Sequence, residues 1–169
     1  MPQEDLEYLE VLFEDLDLDN PTDGELDEML AIFYNDFVDN VFQIKGCNVK
    51  VILQKSWHKD FRGLPETFVH LITRDNKYKN QREFDCERAN RIHWVKEVLL
   101  NHTSPRVKYF EYADGKEIVK HHYWLEEKNF MVVLKPTQPD LMVVTAFCID
   151  DFERARYRKR FNVYRDSLK

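Results

Sequence analysis

The sequence predicts an α+β protein in which helices pack on a four-stranded, or slightly larger, antiparallel β-meander, preceded by an acidic helical hairpin. Three observations in the 169-residue chain predict this class. Apolar residues recur every three to four positions in the first half, four short apolar segments separated by turn residues follow in the second half, and an arginine-rich segment with helical spacing ends the chain. Hydrophobic residues make up 43% of the sequence, which is enough to build a core.

The first part of the chain predicts two acidic helices that form a hairpin over residues 1–44. Residues 4–16 place four apolar side chains on one helical face and acidic side chains on the other. Thr22, followed by Glu25 three positions later, matches the capping box that begins a helix, and an apolar stripe continues from there. We therefore expect this segment to dock on the remaining chain, residues 45–169.

The charge of the chain is divided unevenly. Residues 1–40 contain fourteen Asp or Glu and no Lys or Arg, so the remaining residues carry a formal charge of +8 within a total of −6. The basic part of the chain could attract a polyanion although the whole protein is acidic. The local electrostatic field, and not the total charge, steers a charged ligand to a protein surface.

The middle of the chain predicts a strand and two helices. Residues 48–54 alternate and contain β-branched side chains, which favours a strand. Residues 62–75 are compatible with a helix or a strand, and Pro65 in a first turn favours the helix. Residues 82–100 predict a second helix, with Asp85 as its N-cap.

Two arginines of this second helix lie on its apolar stripe. Arg88 lies one turn before Ile92, and Arg91 lies one turn before Val95. A guanidinium on a buried face must either pair with a carboxylate or line a cleft that binds an anion, and both interpretations remain open.

Four apolar segments predict the meander. They are separated by Asp114–Gly115, by polar residues and by a proline-rich turn, and connections this short favour antiparallel neighbours. The segments are residues 106–112, 117–125, 130–135 and 141–148. The last two are continuously apolar, which is typical of inner strands. A basic helix is expected from about Asp151, with Phe152, Ala155 and Phe161 as its apolar positions.

Several function classes are disfavoured by composition. Four isolated glycines cannot form a dinucleotide fingerprint or a P-loop, so no nucleotide cofactor is expected. Three isolated cysteines argue against a disulfide framework and a zinc cluster, and no histidines have metal-ligand spacing, so we expect no metal. The start of the chain lacks the pattern of a secretory signal, and no apolar run reaches membrane-spanning length, which predicts a cytoplasmic protein without membrane contact.

Three segments carry a resemblance to a known family. They are FVHLITRD at residues 68–75, REFDCERANRIHW at residues 82–94, and LMVVTAF at residues 141–147 with the basic helix after it. Together they resemble the phage-associated nucleases of the barnase/EndoU/colicin/RelE group, over residues 48–161. The resemblance implies a small α+β domain and a metal-independent endoribonuclease of a prophage or toxin system, active in a bacterial or phage-infected cytoplasm.

The resemblance also implies candidate site residues. His70 is the expected general acid or base, Arg88 and Arg91 the expected phosphate-binding cations, and Thr145 the expected strand hydroxyl. The weaker candidates for substrate binding are Arg74, Lys120, His121 and Arg154. The expected reaction is attack of an RNA 2′-hydroxyl on the adjacent phosphate, which gives a 2′,3′-cyclic phosphate.

Two other functions remain open. The protein could be a non-catalytic interaction module, such as an immunity-type or phage accessory protein. If it is a nuclease, an inhibitor or immunity protein is a possible partner besides RNA. It could also bind nucleic acid regardless of sequence through the basic residues 154–160. Residues 1–44 could either extend the core or lie over a basic cleft and restrain the activity.

Overall fold

A six-stranded mixed β-sheet forms the centre of the computed structural model, which describes residues 6–115 and 118–169. The eight strands of the described chain are β1 (Gln43–Ile44), β2 (Cys47–Lys50), β3 (Thr73–Asn76), β4 (Gln81–Phe84), β5 (Val107–Tyr112), β6 (Lys120–Leu125), β7 (Phe130–Pro136) and β8 (Leu141–Cys148). The large sheet has the order β1-β2-β8-β7-β6-β5, and β3 and β4 form a separate hairpin.

The helices of the described residues cover both faces of this sheet. They are α1 (Asp23–Tyr34), α2 (Glu66–Ile72), α3 (Cys86–Ala89), α4 (Trp94–Leu100) and α5 (Asp151–Ser167), with a π-helical turn at Asn35–Asp39 and a 3₁₀ turn at Glu126–Lys128. Side chains of β7 alternate between two clusters, because successive residues of a strand point to opposite faces. One cluster includes Tyr157 of α5, and the other includes residues of α1 to α4.

The α+β class is confirmed, but the sheet differs from the expected meander. Strands β5 to β8 are consecutive antiparallel neighbours, and β7 and β8 are inner strands, as predicted. The sheet has two strands beyond the meander and is mixed rather than purely antiparallel, because β2 also joins β8 in parallel and β1 pairs with β2. A two-residue turn connects β1 to β2, and both of its residues, Lys45 and Gly46, have the positive φ that such turns require.

The predicted helix over residues 82–100 is interrupted. Residues 82–84 belong to β4, and residues 90–93 separate α3 from α4. Asp85 is the N-cap of α3, as predicted, and its side chain accepts a hydrogen bond from the Arg88 backbone. The interruption has a tertiary cause, since the Asn90 side chain donates to the Phe13 carbonyl at 2.8 Å and accepts from the Phe13 N–H at 2.7 Å.

Residues 6 and 7 are helical but residues 9–21 contain no helix, so the predicted helix over residues 4–16 was wrong for residues 9–16; residues 1–5 lie outside the described residues. The apolar periodicity of this segment reflects burial rather than helix formation, because Leu6, Leu9 and Leu16 belong to the same core cluster as the sheet. The segment is held through its backbone, whose Glu10 carbonyl accepts from Trp94 Nε1 at 2.9 Å. The second predicted helix is confirmed as α1, with the Thr22–Glu25 capping box intact.

Helix α5 begins at Asp151 as predicted, but its apolar positions were assigned incorrectly in part. Tyr157 and Phe161 pack on the sheet, whereas Phe152 is 83% exposed. Phe152 lies about 140° around the helix from Tyr157, at 100° per residue, and therefore faces away from the sheet. Among the described residues, no helix has the length and apolar character needed to span a membrane.

Candidate functional site

A cavity of about 470 Å³ lies where α2, α3 and the β3–β4 hairpin meet the edge of β8. It exists because β2 pairs only with the first two residues of β8, so the rest of this edge has no neighbouring strand. The term site cavity is used for it below. Its lining residues are His70, Arg74, Asp75, Arg82, Asp85, Glu87, Arg88, Val144, Thr145, Phe147, Cys148, Asp150, Glu153 and Tyr157.

His70 brings an imidazole to this cavity from the last turn of α2. Its Nε2 lies 3.2 Å from Glu66 Oε1, one turn earlier on the same helix. Burial lowers the pKa of His70 below its ordinary value, and the positive charge of Arg82 lowers it further, against the opposing effect of Glu66. The imidazole is therefore neutral at pH 7 and able to accept a proton.

Arg88 reaches the cavity from α3 and is mostly buried, with 18% of its side chain exposed. Its Nη1 donates to the Thr73 carbonyl oxygen at 2.8 Å and lies 3.4 Å from Thr145 Oγ1. Its Nε lies 3.4 Å from Asp85 Oδ2 without forming a well-directed hydrogen bond. The structure thus combines both open interpretations of this arginine, since it pairs with an acid and also lines a cavity.

Arg82 is a cation of the cavity that the sequence did not suggest. Its Nε donates to Thr73 Oγ1 at 2.8 Å, and its Nη2 donates to the Thr73 carbonyl oxygen at 2.9 Å. Asp75 faces it across the β3–β4 hairpin. The signal available in the sequence is the presence of charged residues on both sides of the polar residues 76–81, which is compatible with a hairpin.

Arg91 does not line the site cavity. Its Nη1 donates to the Glu87 carbonyl oxygen at 2.9 Å, and its guanidinium lies 5.1 Å from the centre of the Trp94 ring. The interruption after α3 removes the helical relation that would have placed Arg91 beside Arg88. Three of the four predicted catalytic residues, His70, Arg88 and Thr145, therefore share one cavity.

The weaker candidates are dispersed. Arg74 lines the site cavity and bonds Glu83 at 3.0 Å. Arg154 donates to Asn129 Oδ1 at 2.7 Å and lies outside the cavity. Lys120 lines a neighbouring cavity, and His121 packs against the Tyr109 ring.

Five carboxylates also line the site cavity, so its formal charge does not favour anions by itself. Asp85 is compensated by Arg88, and Asp75 lies opposite Arg82. An anion would therefore bind through directed N–H groups of the arginines rather than through net charge. Within residues 6–115 and 118–169, no three His, Cys, Asp or Glu side chains are grouped so that they could hold a metal ion.

The amino-terminal segment, residues 6–44, lies away from the site cavity. None of the residues that line the site cavity comes from residues 6–44. The segment instead crosses α3 and α4, where Asn90, His93 and Trp94 bond its backbone. In the described chain this arrangement agrees with a segment that extends the core rather than one that covers the cavity.

A scan against protein-family models finds no match for the chain, and comparisons with curated proteins and with solved structures find none either.

Proposed function

We propose that the protein is a metal-independent endoribonuclease that cleaves RNA at the site cavity and leaves a 2′,3′-cyclic phosphate. The observation that supports this proposal is the convergence of a neutral imidazole, two fixed guanidinium groups and a hydroxyl around one cavity of about 470 Å³. The resemblance to the phage-associated nucleases assigns the same chemistry to His70, Arg88 and Thr145. In this proposal Arg82, and not Arg91, is the second phosphate-binding cation beside Arg88.

The reaction follows from these groups. His70 accepts the proton of the 2′-hydroxyl, the 2′ oxygen forms a bond to phosphorus, and the bond from phosphorus to the 5′ oxygen breaks. Water in the open cavity protonates the leaving 5′ oxygen, and His70 then returns its proton to solvent. The products are a 2′,3′-cyclic phosphate and a 5′-hydroxyl.

The arginines supply electrostatic stabilisation. The phosphorane of the transition state carries an additional negative charge on its non-bridging oxygens, and a guanidinium group fixed beforehand lowers its energy without reorganisation. Arg82 and Arg88 are fixed by the Thr73 carbonyl oxygen. Thr145 Oγ1, 3.4 Å from Arg88 Nη1, is placed to orient that guanidinium or to donate to a phosphate oxygen.

Substitution of His70 tests the proposal. We expect His70→Gln to lower kcat for a fluorogenic single-stranded RNA by about 10² or more, which is the usual contribution of a general base. His121→Gln is the matched control, because His121 is also partly buried and has a lowered pKa but lies outside the site cavity. Equal turnover of both variants and the wild type would overturn the assignment.

A second function, a non-catalytic interaction module, is favoured by one observation. Among the described residues 6–40, the only ion pair with a basic side chain is a 3.9 Å contact between Glu7 and Arg106. The remaining acids there form no such ion pair with a described residue, which leaves them available to a basic partner protein. The two functions differ in one measurement, because a module without a working site shows no RNA turnover in the wild type at any pH.

A further inference from the structure

Two more cavities continue the site cavity along α5. A second cavity of about 300 Å³ shares Val144, Thr145, Phe147 and Tyr157 with the site cavity. A third cavity of about 500 Å³ shares Tyr112 and Arg160 with the second. The three form one groove, termed the α5 groove, whose α5 side runs from Glu153 to Ser167, about 21 Å at 1.5 Å per residue.

The charge changes along this groove. The site cavity is lined by five carboxylates, whereas the third cavity has a single carboxylate, Glu111, beside the three basic residues Arg156, Lys159 and Arg160. Glu111 accepts a hydrogen bond from the Tyr164 hydroxyl at 2.8 Å, and Arg156 bonds Glu153 at 2.6 Å. The far end of the groove is therefore its basic end.

Two of these cations have no carboxylate partner in the described structure. The Arg160 guanidinium lies 3.8 Å from the centre of the Tyr112 ring, and no carboxylate oxygen of the described residues lies within 4 Å of it. Lys159 is exposed and likewise makes no ion pair with a described residue. A cation that lies over a tyrosine ring, next to a second free cation, is suited to a ligand with both phosphates and flat bases.

We propose that the α5 groove binds the nucleotides that flank the cleaved bond of a single-stranded RNA, with Lys159 and Arg160 on flanking phosphates and the Arg160–Tyr112 pair as a stacking surface. This inference rests on the proposed cleavage at the site cavity. Unpaired RNA is the substrate class because cavities of this size admit single bases, and stacking on tyrosine and arginine requires bases that are not already stacked in a duplex.

Binding of a non-cleavable oligonucleotide tests the groove separately from catalysis. The probe is fluorescein-labelled 2′-O-methyl oligouridine of two, four, six or eight nucleotides, measured by fluorescence anisotropy at a fixed salt concentration. We expect affinity for the wild type to increase with length. Arg160→Gln and Lys159→Gln should each weaken binding of the octamer about tenfold and leave binding of the dimer unchanged.

Arg165→Gln is the matched control, since it removes the same charge from α5 at a position outside the three cavities. Thermal unfolding of all variants verifies that the fold is kept, and Lys159 provides a variant at an exposed position. Length-dependent binding that falls in Arg160→Gln and not in Arg165→Gln supports the groove, whether or not the protein cleaves RNA. Octamer binding that is equal in Arg160→Gln, Lys159→Gln and Arg165→Gln, or that does not increase with length, overturns it.

Discussion

Arg82 and Arg88 donate to the same acceptor, the backbone carbonyl oxygen of Thr73, at 2.9 and 2.8 Å. Thr73 is fully buried and lies at the junction of α2 and β3, one residue after the helix that carries His70. A single peptide group therefore fixes a cation from β4 and a cation from α3 relative to the imidazole. This shared acceptor links α2, α3 and the β3–β4 hairpin at the site cavity.

The Thr73 hydroxyl is expected to support both stability and activity. It donates to the Val69 carbonyl at 2.6 Å and accepts from Arg82 Nε at 2.8 Å. Thr73→Val keeps the shape and leaves both partners unsatisfied, so we expect the free energy of unfolding to fall by about 1–3 kcal/mol. Urea unfolding measures this change. Thr73→Ser, which keeps the hydroxyl, should recover most of the RNA turnover that Thr73→Val loses, and failure to do so would contradict the role of this bond.

The rate of RNA cleavage should depend on the lowered pKa of His70. Burial and Arg82 lower this pKa, so the imidazole becomes neutral and active as a base at a lower pH than a free histidine. We expect kcat/KM to increase with pH through a midpoint below 6.5 and to be constant near pH 7. Arg82→Gln removes one cause of the shift and should move the midpoint to higher pH. A midpoint at or above 6.5 in the wild type would contradict this assignment.

Arg88 and Arg91 should differ in their effect on catalysis, although they lie three residues apart. Arg88→Lys keeps the charge but loses the planar guanidinium, whose Nη1 contacts the Thr73 carbonyl oxygen and Thr145 Oγ1 while its Nε lies 3.4 Å from Asp85 Oδ2. We therefore expect kcat to fall about 10-fold to 100-fold. Arg91→Lys serves as the paired control and should leave kcat within about twofold, because Arg91 lies outside the site cavity. Steady-state cleavage of a short RNA compares the two, and a larger loss in Arg91→Lys would disagree with the structure.

His122 should make the fold less stable in mild acid. Its ring stacks on Phe110 at 4.6 Å, and burial lowers the pKa of His122 to about 4. The unfolded chain takes up this proton near pH 6.5 and the folded chain does not, so the unfolding free energy falls as pH decreases through this interval. Between pH 7.5 and 5 the wild type should lose about 2 kcal/mol more than His122→Phe. A difference between the two proteins that stays constant with pH would refute this.

Periodicity and turn signals in the sequence predicted those helix ends and turns that are determined by neighbouring residues in the chain. The Thr22–Glu25 capping box, the Asp85 N-cap and the beginning of α5 were found where the sequence placed them, and Asp114–Gly115 lies between two antiparallel strands. The Lys45–Gly46 turn is also a local signal, but the strands it connects are too short to show a clear alternation in the sequence.

The remaining features depend on contacts between distant residues. Asn90 ends α3 through a partner 77 residues away, and Leu9 and Leu16 are buried although their segment is not helical. The candidate site also depends on contacts between distant residues, so the sequence predicted only part of it. His70, Arg88 and Thr145 were predicted from a resemblance, whereas Arg82 depends on a hairpin that brings it opposite Asp75.

The most direct test of the proposed function is the chemistry of the RNA ends. Wild-type protein is incubated with a single-stranded RNA in the presence of EDTA, and with the same RNA carrying 2′-deoxy nucleotides throughout. We predict 2′,3′-cyclic phosphate and 5′-hydroxyl ends from the RNA and no cleavage of the deoxy strand, because the 2′-hydroxyl is the nucleophile. Absence of cleavage, or products with 5′-phosphate and 3′-hydroxyl ends, would contradict the account.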